Sequence, residues 1–252
     1  MSHCISIRNL DFVYERSRNL RVSKSPLNEG GMRTVALKIE RLVIDSGELV
    51  LFCGANGAGK STLLSILGGR KMMNPGTATI LGRECFNDCR LASKVCFVGD
   101  RWTDRFLDIT IAEFIGDKVV LGEQCTALCG ILGIDLNWKI SQLSDGQRRR
   151  CQILSMFTAS EEFEVYILDE TTSDLDIISR ERLLNWLKER AHNDGATILY
   201  ATHILDGLGD WASRVIYLED GCVIHDLPVH SSMDVYKIVK DWLMNYSRIS
   251  KS

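Results

Sequence analysis

Proline is scarce, at 3 positions in 252 residues. No apolar run approaches the roughly 18 to 20 consecutive residues that cross a bilayer; the best segments are Leu49 to Cys53 and Val119 to Leu121. With 45% hydrophobic and 25% charged residues, the shortage of proline excludes collagen-like and disordered chains and leaves a compact fold of about one or two domains. An excess of either charge is missing as well. The 30 Lys and Arg face 33 Asp and Glu, and a net charge of −3 gives no global positive field for nucleic acid or anionic lipid, so any nucleic-acid contact is a minor, local option. Met1 to Leu10 contain no apolar stretch of signal-peptide length, and no Arg-rich, acid-poor pattern follows. The expectation is a cytoplasmic or nuclear protein without an integral membrane segment. The tight cysteine pairs of zinc and redox motifs are also lacking: the 9 cysteines are scattered, and Cys85 with Cys89 and Cys125 with Cys129 are too widely spaced. Buried, reduced thiols are expected. His3, His192, His225 and His230 form no ligand spacing.

Against these absences stands a dense set of signals for phosphate chemistry. Gly47 to Cys53 reads as a buried strand and leads straight into Gly54-Ala55-Asn56-Gly57-Ala58-Gly59-Lys60-Ser61-Thr62. The glycines let consecutive backbone N–H groups turn toward one anion, and Lys60 adds a point charge. A helix beginning near Lys60 aims its positive end at the same place, and Ser61 offers a hydroxyl suited to Mg²⁺. The pattern is a P-loop, followed by the apolar helix of Leu63, Leu64, Ile66 and Leu67. Further on, Val165-Tyr166-Ile167-Leu168-Asp169-Glu170 delivers two carboxylates at the end of an apolar strand, where Asp169 would hold Mg²⁺ and Glu170 would polarise a water. Taken alone, the same letters fit a strand running into a helix N-cap. Between these two motifs, Leu143-Ser144-Asp145-Gly146-Gln147 opens the basic helical segment Arg148 to Leu154. It reads as a second phosphate-binding helix terminus or, standing alone, as an ordinary N-cap with a solvated arginine face.

In this order the motifs resemble those of the ABC (ATP-binding cassette) ATPases, over about residues 5 to 225. Gly54 to Thr62 is similar to the Walker A loop, Leu143 to Gln147 to the LSGGQ signature, and Val165 to Glu170 to Walker B with its catalytic glutamate. Ser173-Asp174-Leu175-Asp176 is similar to the D-loop, and His203 in Ala201-Thr202-His203 to the switch histidine. The resemblance implies ATP and Mg²⁺, with Lys60, Glu170 and His203 in catalysis and Gly54, Ala55, Asn56, Gly57, Ala58, Gly59, Lys60, Ser61 and Thr62 around the phosphates. Ser61, Asp169 and Asp100 would surround the metal, and Tyr14 would stack on adenine, although Tyr14 taken alone reads equally as core or surface. Ser144, Gly146 and Gln147 would contact a nucleotide bound by a partner, with Ser173 and Asp176 in the D-loop beside it. The chain has one copy of each motif, so the resemblance implies a homodimer, or a heterodimer with another cassette. Three positions depart from the family pattern: Asp100 where Gln is usual, Asp145 where Gly is usual, and Thr171 where Pro is common. Together with Leu67 to Met72, Leu132 to Trp138 and Gly195 to Leu208, they resemble the soluble, single-cassette subfamily I of plants and fungi. That branch includes a fungal factor associated with the CCR/NOT complex, which implies a non-transport ATPase acting on a protein assembly. The transporter alternative is an ATP-binding subunit with separate membrane partners.

The expected fold is α/β: a P-loop NTPase (RecA-like) core, an antiparallel β layer from the N-terminus, and a helical signature subdomain at about 100–158. One cassette is expected over 1–225, with a C-terminal helical extension over 226–252. Asp220-Gly221 between Arg214 to Leu218 and Cys222 to Ile224 signals a hairpin. Arg16 to Gly31 reads as a basic loop that is solvated or touches RNA or acidic protein. Val235, Ile238, Val239, Trp242 and Leu243 recur at helical spacing, as a helix packed on the core or a partner face.

Overall fold

The computed structural model describes residues 3–14, 34–99, 108–116 and 122–249. In chain order these form β1 (His3–Tyr14), β2 (Thr34–Asp45), β3 (Leu49–Cys53), α1 (Lys60–Leu67), β4 (Ala78–Ile80), β5 (Arg83–Glu84) and β6 (Val95–Val98). Three helices follow, α2 (Ile111–Ile115), α3 (Glu123–Leu132) and α4 (Asp145–Phe157). The remainder is β7 (Val165–Asp169), α5 (Ile177–Asp194), β8 (Thr197–Ala201), β9 (Arg214–Glu219), β10 (Cys222–Pro228) and α6 (Val235–Ile249).

Two sheets result. The larger has the order β10-β9-β3-β8-β7-β6. Its strands are parallel except for β10, which pairs antiparallel with β9 across Asp220-Gly221. The smaller, β2-β1-β4-β5, is antiparallel throughout. The N-terminus therefore supplies only half of the antiparallel layer, and β4 and β5 join it from beyond the P-loop helix.

The central strands are apolar on both faces, as parallel strands covered on both sides must be. Their period-two alternation sorts the side chains into two cores. Val50, Phe52, Val165, Ile167, Leu199 and Ala201 face the small sheet and α1. Leu51, Tyr166, Leu168, Ile198 and Tyr200 face the helices. On that second side Phe157 of α4 stacks on Trp186 of α5 at 5.5 Å, and both meet the edge of Tyr166 on β7. Aromatic pairs of this kind add about 0.5–1.5 kcal/mol each beyond burial, and they seat both helices on the strand that ends at Asp169.

Beyond residue 225, β10 continues to Pro228 and α6 buries Val235 and Val239 in the helical-side core, with Trp242 stacked on His225 at 4.5 Å. Six cysteines are buried as expected, whereas Cys89 is exposed and Cys129 and Cys222 are half-buried. The basic segment Arg16 to Gly31 lies outside the described residues.

Candidate functional site

β3 ends at Cys53, and the chain turns through the glycine-rich loop before α1. Two glycines there are sterically required. A Cβ on Gly54 (φ 146°) would lie 2.3 Å from the Leu218 carbonyl oxygen, and one on Gly59 (φ 102°) 2.9 Å from that of Ala36. The loop tip, Asn56 and Gly57, is exposed, while Lys60 is only 8% exposed. Lys60 Nζ donates to the carbonyls of Gly54 (2.7 Å) and Ala55 (3.1 Å), which folds the ammonium back over the loop. Burial pulls its pKa below the usual lysine range, and the charges of Glu170, Cys53 and Asp169 oppose that shift. Gly59 gives α1 no side-chain cap, and its first turn carries no acid. The leading N–H groups of the helix are therefore open to an anion.

Across the sheet, β7 brings Asp169 opposite this loop. Ser61 Oγ donates to Asp169 Oδ1 at 3.0 Å, so a hydroxyl and a carboxylate converge beside the phosphate cradle. Paired hard oxygens of this kind fit Mg²⁺, which takes one or two protein oxygens and completes its shell with phosphate and water. Asp100, the third expected metal contact, lies outside the described residues. Glu170 follows in the left-handed region at φ 48°, a costly conformation for a residue with a Cβ. It is held there by its N–H donating to Ala201 O (2.9 Å) and by the Ser173 hydroxyl donating to its carbonyl (3.1 Å). This twist carries the Glu170 carboxylate to His203, which β8 delivers to the same edge, with Nδ1 to Oε2 at 2.8 Å. Tyr14, at the end of β1, is 45% exposed and shares a hydrogen bond with Thr62 Oγ1 at 3.0 Å. The Lys71 ammonium lies 4.9 Å from the Tyr14 ring centroid.

The signature residues bond among themselves rather than to this cluster. Ser144 caps α4, accepting from Gln147 N (3.3 Å), while Gln147 Oε1 accepts from Ser144 N (3.0 Å). The N-cap reading and the phosphate-site reading thus apply to the same residues. Ser144 is exposed, and no hydrogen bond among the described residues joins Ser144, Gly146 or Gln147 to the Gly54–Thr62 loop. A Cβ on Gly146 would instead lie 3.6 Å from the Asp174 carbonyl, so the signature end of α4 adjoins the D-loop. Asp176 caps α5 through Ser179 N (2.9 Å), and Ile177 beside it is 83% exposed. One expectation is corrected here. Arg148 and Arg149 are not a solvated face but are 7% and 4% exposed. No local sequence signal marks this, because their partners lie elsewhere: Arg148 donates to the Leu143 carbonyl (3.0 Å) and Arg149 to that of Thr171 (3.1 Å).

A parallel sheet that feeds a glycine-rich loop from one strand and sets two carboxylates beside it from another defines a P-loop nucleotide hydrolase. The separate helical arm, capped at its signature serine, narrows this to the cassette architecture. The chain belongs to the ABC transporter family, whose model matches residues 37–173 and whose cassettes hydrolyse ATP. Among its relatives, ABC transporter I family member 20 of Arabidopsis thaliana is 36% identical over 80% of this chain and 66% of its own length. CCR4-associated factor 16 of Saccharomyces cerevisiae is 32% identical over 75% of this chain and 71% of its own. The fold matches the dimeric structure of MJ0796, a bacterial ABC transporter cassette, with a TM-score of 0.70 at 23% identity over 90% of this chain and 99% of that one.

Proposed function

We propose that this chain is an ATP-driven switch that pairs head to tail with a second cassette, closes on two Mg·ATP, and opens after hydrolysis to regulate a protein assembly in the cytoplasm or nucleus. The observation that carries the reading is the division of the site. The P-loop, Asp169, Glu170 and His203 converge in one place, while the exposed Ser144 terminus makes no hydrogen bond to them among the described residues and presents a second helix N-terminus that would meet a partner's nucleotide.

Within one site, Lys60 and the open N–H groups of α1 hold the terminal phosphates, and the exposed face of Tyr14 receives the base. Bound Mg²⁺, held by Ser61 and Asp169, would neutralise charge on the phosphate oxygens. Glu170 accepts a proton from water as its oxygen attacks the terminal phosphorus and the bond to the bridging oxygen breaks. His203 orients the carboxylate through the 2.8 Å contact. The regulatory role is supported by the likeness to the I-family member and to CCR4-associated factor 16. No helix among the described residues is long and apolar enough to cross a membrane.

A second reading, an ATP-binding subunit docked on separate membrane proteins, is favoured by the fold match to a transporter cassette. Light-scattering mass during size-exclusion chromatography, with and without Mg·ATP, tests the first reading on wild-type and Glu170→Gln protein. A nucleotide-dependent doubling of mass in Glu170→Gln is expected. A variant that binds ATP yet stays monomeric with itself would refute the homodimer, and recovery of the endogenous protein in washed membranes would favour the transporter reading.

A further inference from the structure

Arg149 lies on α4, the helix whose first residues carry the signature, and its guanidinium reaches two other segments besides its own helix. Nε donates to the Thr171 carbonyl (3.1 Å), Nη2 to the Gly99 carbonyl (3.3 Å) and Nη1 to Gln152 Oε1 (2.8 Å). Thr171 directly follows Glu170, and its hydroxyl donates to Val98 O at 2.7 Å. Gly99 closes β6 so near to Asp169 that a Cβ on it would lie 3.5 Å from the Asp169 Cβ. One buried cation thus ties the signature helix to the end of β7, which carries both acids, and to the end of β6 beside it. A planar fork with several fixed donors can hold two carbonyls at once, which a lysine ammonium does less well. Five residues of helix rise separate Ser144 from Arg149, about 7.5 Å along a rigid rod.

We propose that Arg149 is a positioning residue that makes the signature terminus and the Glu170 segment move as one body, so that seating Ser144 on the second nucleotide aligns Glu170 for hydrolysis. The relay rests on the head-to-tail reading above. Arg149→Met keeps the length and apolar stem of the side chain and removes every donor.

The test measures phosphate release and the Kd of a fluorescent ATP analogue for wild type, Arg149→Met and Arg149→Lys, beside the ATP-dependent mass of Glu170→Gln. The expected result is a kcat at least about 10-fold lower in Arg149→Met, because the Glu170 segment is then no longer held to the signature helix and small misplacements of a catalytic group are costly in rate. The Kd should stay within about 3-fold, since the P-loop contacts are untouched, and Arg149→Lys should recover part of the loss. An unchanged kcat overturns the proposal, and so does a fall in kcat matched by an equal fall in affinity, which a merely structural role would produce. If Arg149→Met does not fold, Arg149→Gln, which removes the charge and the fork but keeps a polar side chain, carries the same split, and an unchanged kcat there is equally decisive. Glu170→Gln protein that never pairs would overturn the relay through the dimer reading, a failure visible without any change at Arg149.

Discussion

Replacing Glu170 by glycine should stabilise the nucleotide-free protein relative to Glu170→Gln while leaving both without useful turnover. Glu170 sits at φ 48°, where an L side chain costs about 1–2 kcal/mol. Glycine removes that cost but gains about 0.4–1 kcal/mol of freedom in the unfolded chain. The backbone bond to Ala201 survives either change. The contact with His203 is solvent-exposed and worth about 0–1 kcal/mol in all; glutamine keeps its neutral hydrogen bond and glycine loses it, which offsets only part of the difference. Glycine should therefore exceed glutamine by about 1 kcal/mol, or about 2–4 °C in Tm for a chain of this size. Turnover in each should drop about 10²- to 10⁴-fold, the usual contribution of a positioned general base. Denaturant titration without nucleotide gives the first quantity and phosphate release the second. A glycine variant equal to or less stable than the glutamine variant would refute the claim that the catalytic segment is held in a strained conformation, and unchanged turnover in either would remove Glu170 from its role.

Gly54→Ala should cost more than about 2 kcal/mol by calorimetry, as overpacking against a rigid neighbour does, because its methyl meets the backbone carbonyl of Leu218 rather than a yielding side chain. Asp176→Ala should lose about 1 kcal/mol at pH 7 through the missing cap of α5. The Ser179 N–H and hydroxyl hold the Asp176 carboxyl below its ordinary value, so this contribution is complete above the usual Asp range and fades as pH falls through the lowered pKa. Unfolding curves at neutral and strongly acid pH should accordingly converge between the two proteins. Brief alkylation of the folded protein, read by peptide mass spectrometry, should modify exposed Cys89 first and spare Cys53 and Cys151, whose thiols burial pushes up to about 12.

Much of the site is legible in the sequence because its signals are local. The spacing of Gly54, Gly59, Lys60 and Ser61 dictates a turn and a helix start within nine residues, and the apolar run Val165–Leu168 marks a strand covered on both faces. What is not legible depends on partners far along the chain. Arg149 finds Gly99 and Thr171 across 50 and 22 positions, and nothing in a run of three arginines says which guanidinium turns inward. The left-handed turn at Glu170 is hidden for a similar reason, since it is imposed by Ala201 on a neighbouring strand. Periodicity found α6, with Val235 and Val239 buried as the spacing of the apolar residues suggests, but not the stacking of Trp242 on His225 that fastens it.

The helix termini at the glycine-rich loop and at the signature differ in how they are finished. Ser144 and Gln147 close the start of α4 with their own side chains, whereas Gly59 leaves the start of α1 without one. For α1 the nucleotide acts as a missing piece of secondary structure, so ATP or ADP should tighten amide-exchange protection along Lys60–Leu67. α4 is complete without any ligand. On the head-to-tail pairing proposed above, one terminus would keep its nucleotide and the other would let go of it.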